Sequence, residues 1–188
     1  MINKNEMDEV RKVKPTVPLV GENNIPLKDE LELEKEFKPK KYNIEKVTEK
    51  KDKYLNLLLE GDPDKNVVNQ YIEKGEMYII KTKDKALAEI FITEVDNETC
   101  ELKNIATLQE ARGQGLASIL IKYVFNEYKT RYKKMIVGTT ENMIPFYVLN
   151  GFTKYYKTEK NFFINNYSEE VWDGNLHCID MYYYSKEL

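Results

Sequence analysis

Gly113 and Gly115 separate an apolar, strand-like segment at 104–108 from a helical pattern that follows them. That pattern is an apolar stripe with the spacing of an amphipathic helix: Leu116, Ile119, Leu120, Tyr123 and Val124. The first N–H groups of such a helix have no partner within it, and the helix dipole favours a negative charge beside them. Because glycine lets a backbone approach a ligand closely, this junction predicts a site for a phosphate or pyrophosphate.

Two common phosphate-binding motifs do not fit this glycine loop. A dinucleotide fingerprint requires a third glycine where this chain has Ser118, and there is no strand–helix repeat behind it. A Walker loop ends in Gly-Lys-Ser or Gly-Lys-Thr, and this loop does not. The alternative that stays open is a tight strand-to-helix turn that binds no ligand.

A third pattern does fit. Arg112-x-x-Gly115-x-Ala117 matches the Q/R-x-x-G-x-G/A signature of the GNAT superfamily, and a Tyr-x-x-Asn-Gly-Phe element follows at Tyr147. The segment 42–188 resembles this superfamily of acetyl-CoA-dependent N-acetyltransferases. The resemblance implies an α/β (α+β) fold with a mostly antiparallel, twisted sheet of about seven strands, flanked by helices and splayed at the cofactor site between 100–108 and 135–139.

The resemblance also implies where acetyl-CoA binds. Backbone N–H groups of the glycine loop and the helix start would anchor the pyrophosphate: Arg112, Gly113, Gln114, Gly115, Leu116 and Ala117. The pantetheine amides would pair, like an added strand, with the backbone of Ile105, Ala106 and Thr107. Asn142 corresponds in type to a coenzyme-contacting asparagine, although it lies closer to Tyr147 than is usual in the family. The Arg112 side chain is either a phosphate contact or a structural brace.

Acetyl transfer to an amine requires a base, because a free alkylamine has a pKa near 10 and is protonated at neutral pH. Glu101 lies in the same strand as Ile105, where several GNAT enzymes place a basic glutamate, and strand alternation predicts that it faces the cleft. The alternative is a glutamate that faces solvent. Weaker rivals for the base are Glu89, Glu169 and Asp180, and we expect the single histidine, His177, to be structural.

The departing coenzyme A thiolate leaves more easily if it is protonated, and a tyrosine is a workable acid beside a thiol of pKa about 8.5. Tyr147 stands where GNAT enzymes carry that tyrosine; its alternative is an aromatic side chain packed on a helix. We find no nucleophile with a base partner in the sequence, which favours direct transfer over a covalent acetyl-enzyme.

Composition narrows the class of protein. The 188 residues carry a net charge of −3, so the sequence has no basic footprint for nucleic acid. One histidine and two distant cysteines do not form a metal site. No signal peptide or membrane-spanning run is evident. Cys100 and Cys178 are expected to be buried free thiols, which suits a cytoplasmic protein.

The chain divides into two parts. Residues 1–41 have equal numbers of acidic and basic residues, four prolines and few large apolar side chains, so they predict a flexible or docking N-terminal extension. Within them, 30–34 could form an edge strand or a short helix. Residues 42–188 form the predicted acetyltransferase domain.

The predicted elements of the domain follow in chain order. Strands are expected at 42–47, 77–81, 86–95, 100–108, 135–139, 152–156 and 176–184, with a long loop between the last two. Helices are expected at 48–60, 62–75, 116–129 and 142–149.

The leading functional hypothesis is direct transfer of acetyl from acetyl-CoA to a primary amine of a small molecule or peptide. The alternative is an acetyl-CoA-binding regulatory or scaffold protein without turnover. Tyr167, Glu169, Glu170 and Trp172 form an aromatic and acidic segment that suits a cationic or aromatic acceptor, or a dimer contact. The protein is expected to be a monomer or a homodimer.

Overall fold

The computed structural model describes residues 2–3, 7–21, 25–28, 30–31, 42–82 and 85–188. The chain forms two compact units, Met1–Lys41 and Tyr42–Leu188. All the residues that the sequence assigned to the site belong to the second unit.

The first unit contains one helix and one short antiparallel pair among its described residues. Its elements are β1 (Ile2–Asn3), α1 (Met7–Val13) and β2 (Glu30–Leu31), with β1 paired to β2. The Arg11 guanidinium donates to the carbonyl oxygens of Pro18 and Leu27, each at 2.8 Å. Of the segment 30–34, for which the sequence left a strand or a helix open, residues 30–31 form strand β2, and residues 32–34 lie outside the described residues. That this unit is a dispensable extension stays a prediction.

A seven-stranded sheet forms the centre of the second unit. Its strands are β3 (Asn43–Val47), β4 (Gly75–Lys81), β5 (Ala86–Glu94), β6 (Thr99–Thr107), β7 (Lys134–Thr139), β8 (Lys154–Glu159) and β11 (Met181–Glu187). Two further strands, β9 (Trp172–Asp173) and β10 (Leu176–His177), form a separate two-stranded ribbon between β8 and β11 in the chain. The seven strands of the sheet lie in the order β3-β4-β5-β6-β7-β11-β8, and within this sheet only the β6–β7 pair is parallel. The predicted fold class is confirmed.

Helices cover both faces of the sheet. They are α2 (Leu55–Leu58), preceded by a 3-10 turn at Lys51–Tyr54, then α3 (Lys65–Tyr71), α4 (Leu116–Tyr128), α5 (Ile144–Leu149) and α6 (Phe162–Asn166). On one face, the predicted stripe of α4 is buried against Ile90 and Leu102. On the other face, α2 and α3 pack against Ile79 and Phe91. Strands β4 to β6 are therefore covered on both sides.

The sheet opens where β6 leaves β7. Their parallel pairing runs from Thr99–Lys134 to Leu102–Val137 and then stops. On its other edge β6 has a bulge, because Leu102 pairs with Ile92 whereas Asn104 pairs with Phe91, which leaves Lys103 as the extra residue. The predicted splay between β6 and β7 is confirmed and begins at this bulge.

The starts of α3 and β8 differ from expectation. Helix α3 begins after Asp64, whose carboxylate accepts from the Asn66 N–H at 2.7 Å, and not at Asp62. Strand β8 begins two residues after Phe152, which is fully buried and whose N–H donates to the Tyr147 carbonyl.

The predicted strand at 176–184 is wrong because it is divided into β10 and β11. Between them the Cys178 N–H donates to the Val171 carbonyl, and the Asp180 carboxylate accepts from the Asn161 N–H at 2.9 Å. These contacts hold the intervening residues outside the sheet ladder. The long loop predicted before this point is also wrong, since it contains α6 and β9.

Three further observations concern only the described part of the chain. Cys100 and Cys178 are buried free thiols, as predicted. None of its helices combines the length and apolar character needed to cross a membrane. Its His, Cys, Asp and Glu side chains form no group that could hold a metal ion.

Candidate active site

A cleft of about 770 Å³ opens at the splay between β6 and β7. Five parts of the chain line it: the loop after α2, the second half of β6, the glycine loop with the first turn of α4, the end of β7 with α5, and the segment from α6 to β9. Of the residues that the sequence assigned to the site, it brings together Ile105, Ala106, Thr107, Arg112, Gly113, Gly115, Leu116, Ala117 and Tyr147.

The glycine loop presents open backbone to this cleft. Gly113 and Gly115 have φ values of 74° and 75°, in the region that favours glycine. A Cβ at either position would have no neighbour within 4 Å, so the space beside the loop is open. Gly115 caps α4 without any side-chain hydrogen bond to the first turn. The first N–H groups of α4 are therefore available to an anion.

The Arg112 side chain braces the loop. Its Nε donates to the Thr107 carbonyl at 3.2 Å, and its guanidinium pairs with the Glu60 carboxylate at 2.9 Å. These contacts tie the glycine loop to the end of β6 and to the loop after α2. Of the two roles proposed from the sequence, the brace is the one supported by contacts in this structure.

The edge of β6 that faces the cleft is free beyond the bulge. Past Leu102, the backbone of β6 has no pairing with β7, although its other edge remains paired with β5 through Thr107. Ile105, Ala106 and Thr107 lie in this stretch and line the cleft. An extended ligand chain could therefore hydrogen-bond there as an added strand.

Tyr147 packs against neighbouring aromatic rings and also lines the cleft. Its side chain is only 8% exposed, and its ring makes edge contacts with Phe146 and Phe152 at centroid distances of 5.1 and 6.0 Å. Burial raises the pKa of Tyr147 above its ordinary value. The hydroxyl is therefore a proton-bearing donor at neutral pH.

Three predicted site residues do not line the cleft. Glu101 pairs with Lys103 at 3.3 Å, and Gln114 accepts from the Tyr42 hydroxyl at 3.3 Å. Asn142 donates to the Asp173 carbonyl at 2.8 Å, at the cleft rim. Their catalytic and coenzyme-binding roles stay predictions.

Glu101 and Ile105 do not share a face of β6, although strand alternation without a bulge would place them together. Ile105 and Leu102 both pack into the core under α4, although they are three residues apart. The bulge at Lys103 causes this, because an extra residue reverses the alternation on either side of it. Glu101 consequently lies on the face opposite to Ile105.

The weaker candidates for the base differ in environment. Glu89 is fully buried, and neither of its carboxyl oxygens has a hydrogen-bond partner among the described residues. Burial raises the pKa of Glu89 well above its ordinary value. Asp180 pairs with Lys160, and Glu169 is exposed away from the cleft wall.

His177 stacks on Trp172 at a centroid distance of 4.9 Å, which agrees with the structural role expected for it.

Two polar residues in the cleft were not identified from the sequence. Asn104 is 4% exposed; its amide donates to the Leu58 carbonyl at 2.9 Å and to the Tyr71 hydroxyl at 2.7 Å, while its Oδ1 has no partner among the described residues. Asp62 is 7% exposed and lines the cleft beside it. An asparagine inside an apolar strand was the available signal for the first; Asp62 was interpreted only as a helix start.

A pair of contacts joins the loop after α2 to the segment between α6 and β9. The Asp64 carboxylate accepts from the Ser168 N–H at 3.1 Å and from its hydroxyl at 2.9 Å. These bonds fix both sides of the cleft at the end away from the glycine loop.

Residues 73–154 match the family model of the acetyltransferase (GNAT) domain. The uncharacterized N-acetyltransferase YvbK of Bacillus subtilis (strain 168) is 28% identical over 145 residues, covering 75% of this chain and 93% of that protein.

Two solved structures are similar along nearly their whole length. A GNAT family acetyltransferase from Elizabethkingia anophelis, with acetyl-CoA bound, is 31% identical, with 78% of this chain and 98% of that chain covered and a TM-score of 0.71. A Bacillus subtilis acetyltransferase in complex with CoA is 25% identical, with 79% and 99% covered and a TM-score of 0.68. The chain belongs to the GNAT family of acetyltransferases.

Proposed function

We propose that this protein transfers the acetyl group of acetyl-CoA directly to a primary amine of a small molecule or a peptide. One observation carries the proposal: a single cleft joins the open helix start at Gly115, the free edge of β6 and the Tyr147 side chain. Two similar acetyltransferases bind acetyl-CoA and CoA, which supports the identity of the donor.

Donor binding would use the backbone more than side chains. The pyrophosphate would accept from the N–H groups of the glycine loop and the first turn of α4. Charge-assisted hydrogen bonds contribute about 1.5–3 kcal/mol each, so several of them are sufficient for micromolar affinity. The pantetheine amides would then pair with β6 at 105–107, which directs the thioester toward the bulge at Lys103.

The chemical step forms a C–N bond and breaks a C–S bond. The neutral amine attacks the thioester carbonyl carbon, and the tetrahedral intermediate collapses to the amide with coenzyme A as leaving group. The attacking nitrogen gives one proton to a base, and the departing thiolate takes up one proton. In this scheme the Tyr147 hydroxyl, which stays protonated at neutral pH, donates its proton to the departing thiolate.

Glu101 remains our proposed base, either by direct contact or through one water. It lies in β6 two residues before the bulge, and its carboxylate pairs with Lys103, which does line the cleft. For Glu101 to take the proton, either the Lys103 ammonium must move away from the Glu101 carboxylate, or the incoming amine must contact that carboxylate together with Lys103.

The experiment measures thiol release and binding together. Release of coenzyme A from acetyl-CoA is followed against panels of small amines, aminoglycosides and peptides, while calorimetry measures acetyl-CoA affinity. We expect amine-dependent release, with binding abolished in Gly115→Glu, because a carboxylate there repels the pyrophosphate. Gly174→Glu is the matched control, since Gly174 has a φ of 62°, equally open space and no part in the cleft wall.

Two outcomes would contradict the proposal. Absence of binding at millimolar acetyl-CoA, or unaltered binding in Gly115→Glu, would remove the donor site. Tight binding without release against every acceptor would instead support the alternative, a regulatory or scaffold protein without turnover.

A further inference from the structure

Asp62 is a buried carboxylate without a cation. It is 7% exposed, and in the described part of the chain no lysine or arginine forms an ion pair with it. Lys103 is close enough to favour its charged form, but the Lys103 ammonium is paired with Glu101. A buried charge is costly unless it is paired, so this carboxylate is suited to a positively charged ligand.

Asp62 is not required by the local structure. The residue that caps α3 is Asp64, whose carboxylate also holds Ser168. The contact between the Asp62 Oδ1 and the Asp64 N–H is long, at 3.4 Å. The chain thus places two carboxylates at one loop, and only one of them has a structural role that explains it.

Tyr167 is a neighbour of Asp62 in the cleft wall, where both residues line the cleft. Burial raises the pKa of Asp62, while the Asp64 N–H, the Tyr167 hydroxyl and Lys103 oppose that effect. The other ionisable groups facing it are Asp64 and Tyr71, neither of which supplies a positive charge.

The surroundings of Asp62 also include an apolar wall. Asn104 shares the Leu58 carbonyl with the Asp62 N–H, and its Oδ1 is packed against Gly61. Beyond Tyr167, the wall is formed by apolar side chains that line the cleft: Phe163, Val171, Trp172 and Met181. The Asp62 carboxylate thus lies at one end, and apolar and aromatic surface lies beside it.

We propose that Asp62, beside Tyr167, binds the ammonium group of the acceptor, and that the acceptor is a small primary amine with an apolar, ring-sized body. This inference rests on the proposed acetyltransferase function and identifies its acceptor class. Tyr167 is a positioning residue, because it acts through the Asp62 carboxylate. The ring-sized body packs on Phe163 and Trp172, where aromatic surface favours it.

The test compares Asp62→Asn and Tyr167→Phe with wild type, using 2-phenylethylamine as the probe. Calorimetry on CoA-saturated protein measures binding of the amine without turnover, and 2-phenylethanol serves as its uncharged counterpart. Thiol release gives KM and kcat separately. Glu98→Gln is the matched control, because it removes one negative charge from an exposed residue that pairs with Lys133 and lies outside the cleft wall.

We expect Asp62→Asn to weaken binding of the amine and raise its KM by about 10- to 100-fold, as for loss of a charged hydrogen bond. Acetyl-CoA affinity and binding of the alcohol should remain at the wild-type level. Tyr167→Phe should raise the amine KM in the same direction by a smaller factor, with little change in kcat. If Asp62→Asn fails to fold, Tyr167→Phe decides the test.

The outcomes separate this inference from the proposed function. Amine-dependent thiol release with an unchanged KM in both variants overturns the inference and leaves acetyl transfer in place. Equal binding of 2-phenylethanol and 2-phenylethylamine, or no binding of the amine, also overturns it. Asp62-dependent binding of the amine without any thiol release supports the ammonium site and contradicts turnover.

Discussion

Glu89 provides a stability prediction that follows directly from its burial. The fully buried carboxyl keeps its proton in the folded protein, whereas in the unfolded chain it ionises near its ordinary pKa of 4.5. Above pH 4.5 the folded state therefore binds more protons than the unfolded state. Its stabilising contribution is complete below that pH and is lost as the pH rises toward the raised folded-state pKa.

The magnitude follows from the linkage relation. One proton difference changes the free energy of unfolding by about 1.4 kcal/mol per pH unit, so wild type should lose this amount for each unit within that window. In Glu89→Gln the side chain keeps its shape but does not titrate, so this slope should disappear. The buried amide adds a cost that does not depend on pH, and the slope rather than the offset is therefore diagnostic.

The assay is equilibrium urea unfolding of wild type and Glu89→Gln between pH 5 and pH 8 at about half-unit steps. The difference between the two free energies should move in favour of the variant as the pH rises. Exposed Glu98→Gln is the control and should run parallel to wild type. A difference that stays flat over this range would refute the reasoning, because it would mean that Glu89 ionises alike in both states.

Three other predictions concern catalysis, acid stability and the first unit. Tyr147→Phe should lower kcat by about 100-fold with acetyl-CoA affinity near wild type; an unchanged kcat in steady-state assays would leave the tyrosine a packing role only. Although burial opposes it, hydrogen bonds from Tyr128 and Arg131 help to lower the pKa of Glu76 to about 2. Its contribution to the free energy of unfolding should be present above pH 4.5 and lost as the pH falls toward 2. In urea titrations, Glu76→Gln should therefore lose less stability than wild type over this pH range, and an equal loss in both proteins would contradict this. Deletion of 1–41 should change the melting temperature little and leave acetyl-CoA binding intact; a protein that unfolds or loses binding would show that the domain boundary is misplaced.

The sequence by itself determined the features that depend on short stretches of chain. The glycine loop and the start of α4 could be predicted because the conformation of Gly113 and Gly115 and the periodicity of the helix are local properties. Most strands of the sheet could be located for the same reason, from alternation and turn residues. The family signature at Arg112 to Ala117 then supplied the order of these elements.

The tertiary structure alone decided which side chains meet in the cleft. The position of Glu101 depends on the bulge at Lys103, which exists only because β6 pairs with β5 in a particular register. No feature of the β6 sequence specifies that register, since it arises from the packing of the whole sheet.

Asp62 and Tyr167 show the same limit over a longer distance. They are separated along the chain by α3, five strands and α4 to α6, and they meet in the cleft wall only because the segment after α6 is bonded to the loop after α2. Helical periodicity explains why α3 forms, but not that its preceding loop holds an unpaired carboxylate. Burial and missing partners are properties of the assembled fold, and for that reason only the structure could identify this residue.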